Sequence, residues 1–216
     1  LTVHTITLEG LLPKVFAHQT DLVSEVWSQT LSLKRGDHYL LSAGSGAGKS
    51  SLCSFIYGLR KDYLGRILFD AIDVSRWNYN QWSAIRRTSL AFLPQDLRLF
   101  KDLTCIENVL LKNRLTRAYS RQEIESWFEL LGIADKRNTV VDQLSLGEQQ
   151  RVAIIRTLCQ KADFYILDEP VSHLDPINNK LVATLFESKV HSEGSSLLVT
   201  SVGYPLEFLF TYTLQL

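Results

Sequence analysis

Cysteine is scarce in this 216-residue chain, methionine is absent, and neither sign of charge is in excess. The three cysteines, Cys53, Cys105 and Cys159, stand far apart in apolar surroundings. That spacing fits reduced packing thiols of a cytosolic protein better than a disulfide frame or a zinc site. Twenty-three basic residues balance twenty-three acidic ones, so no net field draws the chain to nucleic acid or anionic lipid, and no nucleic-acid partner is expected. No run approaches the roughly 18 apolar residues of a membrane span, and the first residues lack the basic-then-apolar order of a signal peptide. Any membrane in this protein's work has to come with another chain. Internal repeats and low-complexity linkers are also missing. What remains is 45% hydrophobic and 21% charged, the makeup of a globular protein with one well-filled core, or one core with a lobe attached.

The hydrophobic pattern alternates between two periods. Residues 1–35 mix short apolar and polar stretches ending in Gly36-Asp37, which predicts strands and a turn, and "HYLLSA" reads as a buried strand. "SSLCSFIYGLRK" has helical spacing at Leu52, Phe55, Ile56 and Leu59, with Gly58 near its end. "LGRILFDAIDV" reads as a strand pair and "SLAFLPQD" as a short buried strand stopped by Pro94. From Leu103 to about Leu131 the period is helical, with Ser120 and Glu123 forming a capping box and Gly132 a stop. "LSLGEQQRVAIIRTLCQ" predicts a helix starting at Ser145, "FYILDEP" a buried strand ending in two carboxylates, "SSLLVTS" another buried strand, and "LFTYTLQL" a period-two strand. Strands alternating with helices imply an α/β fold with a mainly parallel sheet covered on both faces.

Two stretches carry chemistry. Between the "HYLLSA" strand and the helix after it runs Ala43-Gly44-Ser45-Gly46-Ala47-Gly48-Lys49-Ser50-Ser51. A flexible tether would be flanked by polar sequence, whereas this run joins two packed elements. Its glycines allow the backbone to curl so that N–H groups point inward, toward the positive end of the following helix. In such a phosphate loop Lys49 reaches the β and γ phosphates of a nucleotide and the Ser50 hydroxyl binds Mg²⁺. The strict pattern places a glycine where this chain has Ala43, a difference of one methyl group. The second stretch, "FYILDEPVSHLD", delivers Asp168 and Glu169 to the C-terminal edge of a strand, where open α/β sheets bind ligands. There Asp168 can hold Mg²⁺ through water, and Glu169 can orient or deprotonate an attacking water.

With these residues in place, nearly the whole chain resembles an ATP-binding cassette (ABC) nucleotide-binding domain. "LSLGEQQR" at 144–151 is similar to the family's LSGGQ signature: Gly147 matches, while Leu146 replaces the first glycine and Glu148 the glutamine. "LPQD" with Gln95 looks like the Q-loop, and "SHLD" at 172–175, ending in Asp175, like the D-loop. The resemblance implies a P-loop NTPase core with an N-terminal antiparallel β part and a helical subdomain at about 98–158, all within a single domain over 1–216. No appended regulatory domain or second cassette is expected. It implies ATP and Mg²⁺ as cofactors, with Gln95 sensing the metal and the water, and a head-to-tail dimer with a second copy or a related cassette. In that dimer Ser145, Gly147 and Glu148 would meet the nucleotide held by the partner's phosphate loop. It further implies a permease subunit on another chain and a position on the cytoplasmic face of the cell membrane. Phe16 is the candidate for stacking on adenine.

One departure bears on activity. Where the family carries a switch histidine after the last buried strand, "LLVTS" has Ser201, which implies slow hydrolysis. Two other readings stay open on the sequence: a nucleotide-gated structural or regulatory subunit that hardly hydrolyses, and a soluble cassette for DNA repair or translation. The latter usually carries a coiled-coil insertion or a duplicated cassette, neither of which occurs here. Trp77 and Trp82 read as packing residues or an exposed docking patch, and His173 and His191 as solvated or packed side chains.

Overall fold

The computed structural model describes residues 2–19 and 21–216; Leu1 and Thr20, both within the stretch read as strands and a turn, lie outside them. Two sheets organise the chain. The first is antiparallel and combines β1 (Thr5–Pro13), β2 (Thr30–Lys34), β4 (Tyr63–Phe69) and β5 (Ile72–Asp73) in the order β2-β1-β4-β5. The expected N-terminal antiparallel part is therefore only half N-terminal: β4 and β5 follow the phosphate loop in sequence and return to pair with β1. Gly65 permits that return at a β-bulge in β1, since at φ +85° an added Cβ would meet the Gly10 carbonyl oxygen at 2.3 Å.

The second sheet is parallel throughout: β6 (Leu90–Leu93), β7 (Phe164–Asp168), β8 (Ser196–Ser201), β3 (His38–Ser42) and β9 (Tyr212–Gln215), in the order β6-β7-β8-β3-β9. Its central strands are buried on both faces, which explains their unbroken apolar runs. In β7, Phe164 and Ile166 enter a core shared with the antiparallel sheet, while Tyr165 and Leu167 enter a second core under the helices. At roughly 1.5–3 kcal/mol per fully buried large apolar side chain, these alternating side chains weld both layers to one strand.

Helix α1 (Lys49–Ile56) follows β3 and packs into the first core through Leu52, Cys53, Phe55 and Ile56. It ends before Gly58, which lies at φ +72° against Trp82, so Leu59 falls outside the helix. Helix α2 (Tyr79–Thr88) starts from an Asn78–Gln81 capping box and places Trp82 beside Trp77 and Phe69; both tryptophans pack. Residues 98–158 contain α3 (Cys105–Thr116), α4 (Arg121–Leu130) and α5 (Leu146–Leu158), each opened by a Ser or Thr capping box with Glu three residues on. Helix α6 (Pro176–Glu193), capped by Asp175, carries His191 in its last turn. The pattern of α6 is broken by Asn179 and Lys189, which are buried with polar partners, Pro205 O for Asn179 and Glu193 for Lys189. All three cysteines are free and buried, and burial pushes their thiols up, Cys105 to about 11. Among the described residues no helix is long and apolar enough to cross a membrane.

Candidate active site

Parallel pairing gathers the site. In register, Ser42 of β3 lies beside Ser201 of β8, and Thr200 of β8 beside Asp168 of β7. The strand ends leading to the phosphate loop, to Glu169 and to Ser201 thus share one edge, with Gln95 just beyond the end of neighbouring β6.

The loop between β3 and α1 curls through positive φ at Gly46 (+83°) and Gly48 (+93°). Among the described residues α1 is the one α-helix whose N-terminus no side chain caps; Asn78, Thr104, Ser120, Ser145 and Asp175 cap the other five. Its first backbone N–H groups therefore lack the side-chain acceptor the other helices have, as an anion site requires. Lys49, only 5% exposed, donates from Nζ to the carbonyls of Ala43 (2.9 Å) and Gly44 (2.8 Å) and stands 3.9 Å from Glu169 Oε1. Glu169 Oε2 accepts from Gln95 Nε2 at 3.3 Å, and Gln95 Oε1 accepts from the Ser50 hydroxyl at 3.4 Å. Lys49, Ser50, Gln95 and Glu169 close a ring around a cavity of about 240 Å³ that Ser45, Gly46, Gly48 and Ser51 complete.

Several expected residues stand behind this wall. Ala43, Gly44 and Ala47 turn their carbonyls to protein partners, the first two to Lys49 and Ala47 to the Trp27 indole N–H. Asp168, 3% exposed, accepts from the Thr200 hydroxyl at 2.6 Å, and that same hydroxyl accepts from the Glu169 N–H at 3.1 Å. Ser201 is equally buried, and its Oγ has no hydrogen-bond partner among the described residues. Phe16 lies half-buried at the outer side of the loop: a Cβ on Gly48 would stand 3.1 Å from its ring.

The signature residues form a second group away from the cavity. Ser145 caps α5 by accepting from the Glu148 N–H, while its own N–H and hydroxyl donate to Glu148 Oε2 at 2.9 and 2.8 Å. Those donors hold the Glu148 carboxyl below its usual range. Gly147 has no room for a side chain, because a Cβ there would stand 2.9 Å from the His173 carbonyl oxygen. Asp175 caps α6 at the end of the same loop, and the Asn178 N–H lowers its pKa. Three further residues were not singled out from sequence. They are Thr200, Trp27 and the 1%-exposed Gln150, whose amide donates to the Glu169 carbonyl at 3.1 Å. Gln150 and Thr200 lie inside quoted motifs, but only tertiary contact gives them a partner.

This edge-of-sheet phosphate loop coincides with a known family pattern: the family described as "ABC transporter" matches residues 28–172. The chain belongs to the ABC transporter family. It is 31% identical over 201 residues to the lipoprotein-releasing system ATP-binding protein LolD of Buchnera aphidicola subsp. Schizaphis graminum, covering 92% of this chain and 87% of that one. To the LolD protein of Aquifex aeolicus it is 32% identical over 190 residues, covering 87% and 84%. Among solved structures, the dimeric post-hydrolysis state of the ATP-binding cassette MJ0796 bound to ADP and Pi superposes with a TM-score of 0.73. The identity there is 27%, over 91% of this chain and 87% of that one. As an ABC transporter cassette the chain has the P-loop NTPase α/β fold and is an ATP-binding subunit that drives a membrane transporter; ATP hydrolysis is the general activity of the family.

Proposed function

We propose that the chain hydrolyses Mg-ATP to ADP and phosphate in a head-to-tail dimer, coupled to a permease on another chain at the cytoplasmic face of the membrane. The observation that carries this reading is the ring of Lys49, Ser50, Gln95 and Glu169 around one cavity at an uncapped helix N-terminus. That cavity suits phosphate through its N–H groups and ammonium. Its oxygen donors, the Ser50 hydroxyl and the Gln95 carbonyl with Asp168 behind, suit Mg²⁺, which keeps several of its own waters. When bound, the metal supplies charge neutralisation on the phosphate oxygens.

In this reading the loop N–H groups and Lys49 hold and orient the phosphates. Glu169 takes the proton of the attacking water as its oxygen bonds to the γ-phosphorus and the β–γ bridging bond breaks. Gln95, bonded to both Ser50 and Glu169, links the metal position to the base. Phe16, beside the loop, supplies a face for adenine. Ser145, Gly147 and Glu148 lie outside the cavity of their own chain, which supports their acting on the nucleotide of a partner, with Asp175 at the same surface. The helical insert at about 98–158 belongs to a single cassette domain over 1–216. Ser201 carries neither the reach nor the charge of an imidazole, which supports slow turnover. The loss of one preorganised contact amounts to about 3 kcal/mol, roughly a hundredfold in rate.

Lys49→Ala tests the core of this proposal. It should abolish hydrolysis and weaken ATP binding at least tenfold, with the cooperative melt retained. Unchanged affinity and turnover would remove the phosphate-loop assignment.

A further inference from the structure

Glu169 is a non-glycine residue at φ +51°, a left-handed conformation that its side chain does not favour. Two side chains from different elements hold its backbone there. From β8, Thr200 Oγ1 accepts the Glu169 N–H at 3.1 Å. From α5, Gln150 Nε2 donates to the Glu169 carbonyl at 3.1 Å. Both ends of the Gln150 amide are engaged: Nε2 also lies 3.4 Å from Ser172 Oγ, and Oε1 accepts the His173 N–H at 3.0 Å. Ser172 and His173 hydrogen-bond to each other at 3.0 Å. One turn before Gln150 on the same helix, Gly147 packs against the His173 carbonyl.

We propose that Gln150 is a positioning residue: it fixes the backbone of Glu169 in the left-handed conformation that aims its carboxylate at the cavity, and it ties that conformation to the signature end of α5. The inference rests on the assignment of Glu169 as the base. Because the hydrogen bonds of the buried Gln150 amide go to backbone groups and the Ser172 hydroxyl, and it does not line the cavity, it acts through Glu169 and not on the nucleotide. A shift of the first turn of α5 when Ser145 and Gly147 engage a partner's nucleotide is transmitted through one buried amide to the base of the same chain. Ser145 and Glu169 serve different nucleotides in a head-to-tail dimer, so Gln150 links the two sites.

Two substitutions separate this role from packing. Gln150→Leu removes donor and acceptor at similar volume. Gln150→Glu keeps the acceptor for the His173 N–H and removes the donor while ionised; when protonated, its O–H can again donate to the Glu169 carbonyl, and burial raises the carboxyl pKa towards the assay range. The backbone groups this side chain bonds belong to an acidic residue, Glu169, and a histidine, His173, and Arg151 follows it on α5, so each rate is read as a ratio to wild type at the same pH. The full-length chain is used, with single-turnover hydrolysis at saturating Mg-ATP and ATP affinity measured separately.

Gln150→Leu should hydrolyse about tenfold or more slowly with ATP affinity within about twofold. The ratio for Gln150→Glu should rise as pH falls from about 8.5 to 6. A Gln150→Leu rate within about twofold of wild type, or a Gln150→Glu ratio flat across that range, overturns the proposal. If Gln150→Leu does not fold, the pH ratio of Gln150→Glu decides alone. A wild type that binds but never hydrolyses ATP removes the assignment of Glu169 and this inference with it. A hydrolysing wild type with indifferent variants removes only this inference.

Discussion

The indole Nε1 of Trp27 donates to the carbonyl of Ala47 at 3.0 Å, so a fully buried side chain from before β2 braces the phosphate loop from behind. The bond fixes the peptide next to Gly48, the residue that turns the chain into α1. Trp27→Phe keeps an aromatic ring but leaves the Ala47 carbonyl without its donor, at a cost of about 1–3 kcal/mol. The expected result is a lower melting midpoint together with weaker ATP binding, measured by calorimetry on the same preparation. Loss of stability with unchanged affinity would show that the brace does not shape the loop.

Gly48 is more tightly specified than the other loop glycines. Its φ of +93° is strained for any L-residue, and a Cβ would stand 2.9 Å from the Trp27 ring and 3.1 Å from that of Phe16. Gly48→Ala therefore combines about 1–2 kcal/mol of left-handed strain with about 1–3 kcal/mol of overpacking. Gly44→Ala, with nothing within 4 Å of the added carbon and no positive φ, should leave stability within about 0.5 kcal/mol. Chemical denaturation of the two variants checks the contrast.

Glu169→Gln should trap ATP. The amide cannot take the water's proton, and removing the carboxylate 3.9 Å from Lys49 leaves the ammonium free to attract phosphate. Size-exclusion chromatography in Mg-ATP should show a dimer, alone or with the membrane partner present. A variant that stays monomeric at saturating ATP in both settings would count against the head-to-tail arrangement.

Ser201→His should raise the single-turnover rate about tenfold or more if the imidazole reaches the γ-phosphate. The position is buried, so the melting midpoint must be followed alongside to separate a clash from a catalytic effect. A fast wild type, or a folded variant no faster than wild type, would show that Ser201 does not occupy the switch position.

The capping box of α5 predicts a pH signature. The N–H and hydroxyl of Ser145 hold the Glu148 carboxyl below its usual value, so this contribution to stability is complete above about pH 4.3, the unfolded carboxyl pKa, and is lost as pH falls through the lower folded value. Glu148→Gln can keep the box without the charge. The stability difference between wild type and Glu148→Gln should be constant from pH 8 to about 5 and change only below the unfolded carboxyl pKa. Denaturation curves at pH 7 and on the acid side test it.

The sequence alone was enough for the α/β class, the phosphate loop, the paired carboxylates ending "FYILDE" and the Ser145 helix start. Each is written in local order: a period of hydrophobicity, a cap three residues from its partner, glycines where the chain must turn. It was not enough for α6, whose buried Asn179 and Lys189 look like surface residues until their partners are known, nor for the split of the antiparallel sheet around the phosphate loop. Tertiary structure alone decided which residues meet. Ser50, Gln95 and Glu169 are scattered along the chain and converge because parallel strands bring their C-terminal ends to one edge. Thr200, Gln150 and Trp27 likewise acquire their roles only in the folded chain, through contacts between distant elements. A hydroxyl, an amide and an indole N–H are ordinary side-chain groups in sequence, and only burial against a particular backbone group makes each of them a constraint on the site.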